Sequence, residues 1–193
     1  MVNDTPHQIS ISTSTIKEQT PAYSITANYP VFGVPEVDAK IKQTIDAGIA
    51  DIKTAEANPS PNGIQNEFIS IFQKPYVDDS FISVELLLSQ YTGGAHNNSE
   101  AVGVNFNRAT KKFLTLDDAL KLTGKSLKDL SVIAKNELTK QFDSVQFPEG
   151  ITPVRENFAT FVVEKDAVRF IFQEYQVESF AMGMPEFRVP IVR

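Results

Sequence analysis

The stretch Ser80-Phe81-Ile82-Ser83-Val84-Glu85-Leu86-Leu87-Leu88-Ser89-Gln90-Tyr91-Thr92-Gly93-Gly94-Ala95-His96-Asn97-Asn98 decides how this chain folds. Ile82, Val84, Leu86 and Leu88 alternate, so they share one face of a strand. Leu87 interrupts the polar face. The strand is therefore expected to lie centrally in a sheet, partly covered on both sides, and to end at the paired glycines. Gly93 and Gly94 permit positive φ values that a side chain would forbid. They also let backbone N–H groups approach a partner closely. His96 is one of only two histidines in the protein. A shaped loop thus presents an imidazole beside amide and hydroxyl groups, which suggests a site without naming a reaction.

Working outward, residues 8–16 and 22–32 read as strands, with Pro30 at an edge or a strand end. Residues 34–57 read as a helix with Val37, Ile41, Ile45, Ile49 and Ile52 on one stripe, Pro35 in the first turn and a hard stop at 58–63. Residues 65–74 precede the strand already described, through a turn at 76–79. On its far side, Val102, Val104 and Phe106 alternate in a strand at 101–107, and 108–112 turn. Thr115 with Asp118, and Ser126 with Asp129, have the spacing of helix N-terminal caps. Gly124 separates the two helices, and Leu127, Leu130, Ala134 and Leu138 form the stripe of the second. Residues 158–163 and 168–175 read as a hairpin, followed by a strand at 187–192. Without regular strand–helix alternation, the class is α+β. The expected organisation is two closely packed subdomains, 1–91 and 92–193. Each is a small, mainly antiparallel sheet with one or two helices, and the glycine loop lies at the joint.

A chain of 193 residues buries enough surface to need no staples. It has no cysteine, which excludes disulfides, thiolate zinc sites and cysteine nucleophiles. Net charge is −6 with scattered basic residues, so a phosphate-tracking nucleic-acid surface is not expected. A basic macromolecule is the more natural electrostatic partner. No segment reaches the roughly 20 apolar residues of a membrane-spanning helix.

Several strings carry a resemblance. They are Tyr91-Thr92-Gly93-Gly94-Ala95-His96, Val104-Asn105-Phe106, Leu114-Thr115-Leu116-Asp117-Asp118, Val168-Arg169-Phe170-Ile171-Phe172-Gln173-Glu174-Tyr175, Ala181-Met182-Gly183 and Val189-Pro190. In this order they resemble a bacterial family of extracytoplasmic domains of poorly defined function. That family occurs in RsiV-type anti-sigma factors that act as lysozyme receptors, in the non-catalytic part of PdaC-type peptidoglycan deacetylases, and in stand-alone lipoproteins. Residues before 91 resemble the companion domain found upstream. Glu178-Ser179-Phe180 stands where relatives have a proline and a tyrosine, and Thr110 where they have a glycine. The resemblance implies an envelope-facing location, with a signal, lipobox or membrane anchor upstream of Val2. It implies binding or sensing, with a lysozyme-type partner for the anti-sigma branch.

Among candidate sites, His96 is a candidate general base because the unperturbed pKa of a histidine side chain lies near working pH, but no serine–histidine–carboxylate signature accompanies it. The alternative is a loop histidine hydrogen-bonded to backbone. His7 lies in a polar terminal segment. Asp78-Asp79 and Asp117-Asp118 lack calcium-loop spacing and fit turns and caps. Glu174 and Glu178, in extended chain, would stand about 13 Å apart, too far for a glycosidase pair. Phe170 and Phe172 share a core face, while Tyr175 and Phe180 are candidates for an exposed contact. The expected ligand-binding residues are Thr92, Gly93, Gly94, His96, Asn97, Tyr175 and Phe180. No catalytic residue, metal or cofactor is assigned. The expected function is a non-catalytic envelope binding or sensing domain for a cell-wall glycan or a basic secreted protein. The alternative is a peptidoglycan-modifying hydrolase that uses His96 as acid/base, assisted by Glu174 or Asp78.

Overall fold

A computed structural model describes residues 9–55 and 64–192. Four layers stack in the order helix, sheet, sheet, helices. The first sheet contains β1 (Ser12–Gln19), β2 (Tyr23–Val31), β3 (Asn66–Val77), β4 (Phe81–Tyr91), β5 (Asn98–Asn107) and the short β6 (Lys112–Phe113), paired in that order. All neighbours are antiparallel except β2 and β3, which run parallel. A parallel pair requires a crossover, and α1 (Pro35–Thr54) supplies it. The second sheet is an antiparallel β7 (Phe161–Val163), β8 (Ala167–Ile171) and β9 (Glu186–Pro190). The helices α2 (Leu116–Thr123) and α3 (Leu127–Phe142) cover its outer side.

The α+β class and the two sheet-bearing parts are as expected. Both predicted caps form: Thr115 with Asp118 and Ser126 with Asp129 are complete capping boxes, and Gly124 closes α2 in the left-handed conformation. The buried stripe of α1 is Val37, Ile41, Ile45, Gly48 and Ile52. Gly48 joins the fully buried stripe and Ile49 packs half-buried against the same core, because a 4-4-3-4 spacing follows the 3.6-residue period where 4-4-4-3 drifts off it. The first strand starts at Ser12, beyond Ile9 and Ile11. Gln8, the end of the expected helix at 56–57, the stop at 58–63 and His7 all lie outside the described residues.

Two expected strands are shorter, for packing reasons. Phe158 sits in a 3-10 turn and not in β7, and its ring meets Phe170, Phe172 and Phe187 edge-on at 6.1–6.3 Å. Beyond Ile171 the chain leaves β8 and turns at Tyr175, whose φ is +61°. Conversely, β5 is longer than expected and begins at Asn98. The first sheet therefore continues from β4 across the 92–97 loop into β5.

The central strand is covered on both faces, as Leu87 suggested. Ile82, Val84, Leu86 and Leu88 of β4, with Val104 and Phe106 of β5, join the core under α1. The opposite face of the same strands meets the second sheet through β7. A second core forms where β8 and β9 meet α2 and α3, with Phe170 and Phe187 stacked at 5.3 Å between ring centroids.

Candidate functional site

The β4–β5 hairpin ends in the 92–97 loop, and Gly93 and Gly94 take φ values of +101° and +124°. Thr92, Gly93, Gly94 and Ala95 are exposed. The Tyr91 hydroxyl donates to the Gly94 carbonyl at 3.1 Å and braces the turn. Asn97 donates from its carboxamide to the Ser89 hydroxyl across the base of the hairpin.

The loop meets the segment after β8. The half-buried His96 ring stacks on Phe180, with centroids 3.8 Å apart and planes 18° from parallel. Its Nδ1 lies 2.7 Å from the Asn97 carbonyl, and its Nε2 lies 3.0 Å from the Tyr175 hydroxyl. A carbonyl only accepts, so Nδ1 carries the proton. In that tautomer Nε2 accepts from the Tyr175 hydroxyl. Tyr175 is about half exposed, at 51%. Thus His96, Tyr175 and Phe180, distant in sequence, form one aromatic cluster, with Thr92, Gly93, Gly94 and Asn97 around it.

Tyr175 is held in a left-handed conformation that bulky residues rarely adopt. The two residues before it fix that geometry. Gln173 and Ala101 exchange two hydrogen bonds of 2.9 Å, and Glu174 accepts from the Ser99 N–H at 3.0 Å. These side chains occupy the outer edge of β5, where another strand would otherwise pair. Glu178 is buried and accepts from the Gln146 N–H. Glu174 and Glu178 each accept from a backbone N–H, and the chain between them turns, so the extended spacing expected for this pair does not apply.

Asp78 and Asp117 are engaged within the protein. Asp78 accepts from Tyr76, Ser80 and Phe81. Burial disfavours its ionised form, but those hydrogen bonds together with Arg108 outweigh burial and hold the carboxyl below its ordinary range. Asp117 pairs with Arg155 at 2.7 Å. Among the described residues no three histidine, aspartate or glutamate side chains converge as metal ligands.

Sequence reading missed the polar wiring behind the cluster. Arg169 of β8 is 1% exposed and lies 2.8 Å from Glu85 of β4 and from Glu164, and it also pairs with Glu186. Arg188 and Lys74 complete the network around Glu164 and Glu186. Asn105 of β5 donates to the Phe161 carbonyl at 2.8 Å and accepts from the Val163 N–H at 3.0 Å. Its carboxamide acts toward β7 as a neighbouring peptide group would. Gly103 within β5 was the available signal, since glycine inside a strand marks close backbone approach. A Cβ there would lie 1.9 Å from the Phe161 carbonyl oxygen. Beside this network a cavity of about 430 Å³ opens over Ile69, Ile71, Leu87 and Met184, walled by Glu174 and Glu186.

Comparison with known proteins gives two adjoining matches. Residues 16–99 match the family model described as Deacetylase PdaC, and residues 117–191 match the protein family of unknown function DUF3298. The Peptidoglycan-N-acetylmuramic acid deacetylase PdaC of Bacillus subtilis (strain 168) is 25% identical over 179 residues. That alignment takes in 90% of this chain but only 38% of the relative's length. A crystal structure of a DUF3298 family protein from Pseudomonas aeruginosa PAO1 superposes with a TM-score of 0.60 at 14% identity, covering 96% of this chain and 95% of the other. A DUF3298 family member from Bacteroides fragilis NCTC 9343 gives 0.63 at 16% identity, covering 94% and 90%. At those identities the structures show the shared fold alone. The first part of this chain is thus similar to the PdaC family model and the last part to the DUF3298 model.

Proposed function

We propose that this chain is a non-catalytic binding or sensing domain that acts on the extracytoplasmic side of the bacterial cell envelope. The observation that carries the reading is the state of His96. Both ring nitrogens are engaged by the protein's own groups, and the ring face is stacked on Phe180. An imidazole so held shapes a surface, and the nitrogen that could act as a base is directed at the protein's own Tyr175 hydroxyl. The exposed Thr92–Ala95 backbone, Tyr175 and Met182 then form a preformed contact surface, which lowers the ordering cost of binding.

The kinship with a peptidoglycan deacetylase supports a cell-wall glycan as the ligand. A lysozyme-type basic secreted protein is the macromolecular partner that the net charge of −6 favours. The hydrolase alternative draws on one contact, the Tyr175 hydroxyl 3.0 Å from Nε2.

Co-sedimentation with purified peptidoglycan sacculi, followed by chromatography of the supernatant, tests the reading. The expected result is retention of the protein, weakened about tenfold by Tyr175→Ala or His96→Ala, with no soluble fragments released. Retention that neither substitution changes overturns the assigned surface. Fragment release that is lost in His96→Ala establishes the hydrolase instead. Titration with lysozyme at low and high salt tests the protein partner, since an electrostatically assisted complex associates more slowly as salt rises.

A further inference from the structure

A second concavity lies on the opposite side of the β4–β5 hairpin, under α1. It has a volume of about 580 Å³. Its walls follow from two periodicities. On α1, Lys40, Thr44, Ala47 and Asp51 recur at 4-3-4 spacing, with Gln43 beside them, so they form the stripe flanking the buried one. On β5, Asn98, Glu100 and Val102 point to the same side as the core residues Val104 and Phe106. The register sets Gln90 opposite Asn98, and Leu88 opposite Glu100. The apolar core gives out at Leu88 and Val102, and the sheet continues as a polar shelf that the helix overhangs.

The two grooves differ in how their polar groups are used. In the cavity beside Arg169, the carboxylates of Glu85, Glu174 and Glu186 are already engaged within the protein. In the groove under α1, the side-chain polar groups of Lys40, Gln43, Asp51, Gln90, Asn98 and Glu100 make no hydrogen bond or ion pair with the described residues. Carboxamides from both walls thus converge over a floor of Ala47, Gly48, Leu88 and Val102 with their donors and acceptors unspent.

We infer that this groove binds an uncharged oligosaccharide bearing acetamido groups. The inference rests on the envelope-binding reading above and names its ligand class. The facing carboxamides of Gln43, Gln90 and Asn98 can each donate and accept, as an acetamido group requires of its partners. The small apolar floor suits an acetamido methyl and a sugar ring face. One lysine against two carboxylates disfavours an anionic ligand. The walls are side chains on a sheet face, without the free strand edge that would capture an extended peptide. Asn98 and Ser99 directly follow the 92–97 loop, so a glycan lying here passes beside the surface assigned above.

The probe is the N-acetylglucosamine tetramer, titrated into the full chain by calorimetry and by amide chemical-shift mapping. The expected result is saturable binding, with shifts confined to residues 40–51 and 88–102. Gln43→Ala and Asn98→Ala should each weaken binding at least about fivefold. Both side chains are exposed and unpaired, so an unchanged thermal melt confirms that the variants fold. The glucosamine tetramer, which lacks the acetyl groups, should bind at least about fivefold more weakly. Absence of saturable binding at millimolar tetramer, or binding that both substitutions leave unchanged, overturns the inference. So does glucosamine binding as tight as that of the acetylated probe. If the tetramer fails while sacculus retention still depends on Tyr175, only the groove assignment falls and the envelope-binding reading stands.

Discussion

The two faces of β4 and β5 are built on different physics. Toward α1, Ile82, Val84, Leu86, Leu88, Val104 and Phe106 present hydrocarbon, and α1 answers with Val37, Ile41, Ile45 and Ile52. Burial of apolar area decides that contact, and almost any well-shaped apolar partner would serve. Toward the second sheet, the same strands present Ser83, Glu85, Gly103 and Asn105, which meet particular groups of β7 and β8, Asn105 two of them. Such a contact is stable only when every polar group is matched. The first face should therefore degrade gradually when trimmed. The second should fail when one member is removed and recover when its partner is removed too.

The largest expected effect comes from Arg169. Arg169→Met leaves Glu85, only 5% exposed, as an uncompensated buried charge. The expected loss is about 3–5 kcal/mol in denaturant unfolding. The double variant Arg169→Met/Glu85→Met should regain most of it, because both desolvation costs vanish together. On the apolar face, Ile45→Ala should cost about 2–5 kcal/mol, and no second truncation should restore it. A double variant no more stable than Arg169→Met alone would break the contrast between the faces.

Next come the two glycines, one per face. At Gly103 an added Cβ would lie 1.9 Å from the Phe161 carbonyl oxygen, which is backbone in an adjoining sheet and cannot swing aside. Gly103→Ala should cost about 3 kcal/mol by forcing the sheets apart. At Gly48 the Cβ would meet the far edge of the Phe68 ring at 2.4 Å. That ring can shift, and alanine gains about 1 kcal/mol of helix propensity over glycine. Gly48→Ala should therefore change stability by about 1 kcal/mol or less. Parallel chemical denaturation of the two variants checks the ordering, and equal losses would show that the polar face is as compliant as the oily one.

The same contrast explains what was legible beforehand. The face under α1 could be read because alternation in residues 82–88 and the helical stripe each declare a buried side without reference to a partner. Thr115, Ser126 and Gly124 were legible because capping is local. The aromatic site was half legible: the loop glycines and His96 announced themselves, and Tyr175 and Phe180 were marked as exposed contacts. Their convergence on one imidazole depends on a turn at Tyr175 that no local rule provides. The polar face was not legible. Leu87 marked that face as covered, but nothing in the sequence paired Glu85 with Arg169, which meet only where the second sheet arrives. The shortening of β7 and β8 has the same origin, since Phe158 joins the aromatic core in place of the ladder.

The smallest expected effect sharpens the comparison through pH. Burial disfavours the ionised form of Glu186, but Arg169, Lys74 and Arg188 outweigh it and hold the carboxyl below its ordinary value of 4.5. A lowered folded-state pKa means that the unfolded chain binds the proton more readily. The stabilisation is therefore complete above about pH 4.5 and is lost as pH falls through the folded value. The flanking Arg188 and Lys74 are about half exposed, and solvent screening limits the contribution to about 1 kcal/mol or less. Glu186→Gln should melt slightly below the parent near neutral pH and converge with it once the pH has fallen through the folded-state value. Asp78, Asp117, Asp118 and Asp129 also sit below their ordinary range, but they are common to both proteins and cancel in the difference. A constant gap between the two melting curves across that range would mean that Glu186 contributes packing, and that charge matching on the polar face resides in Glu85 and Glu164 alone.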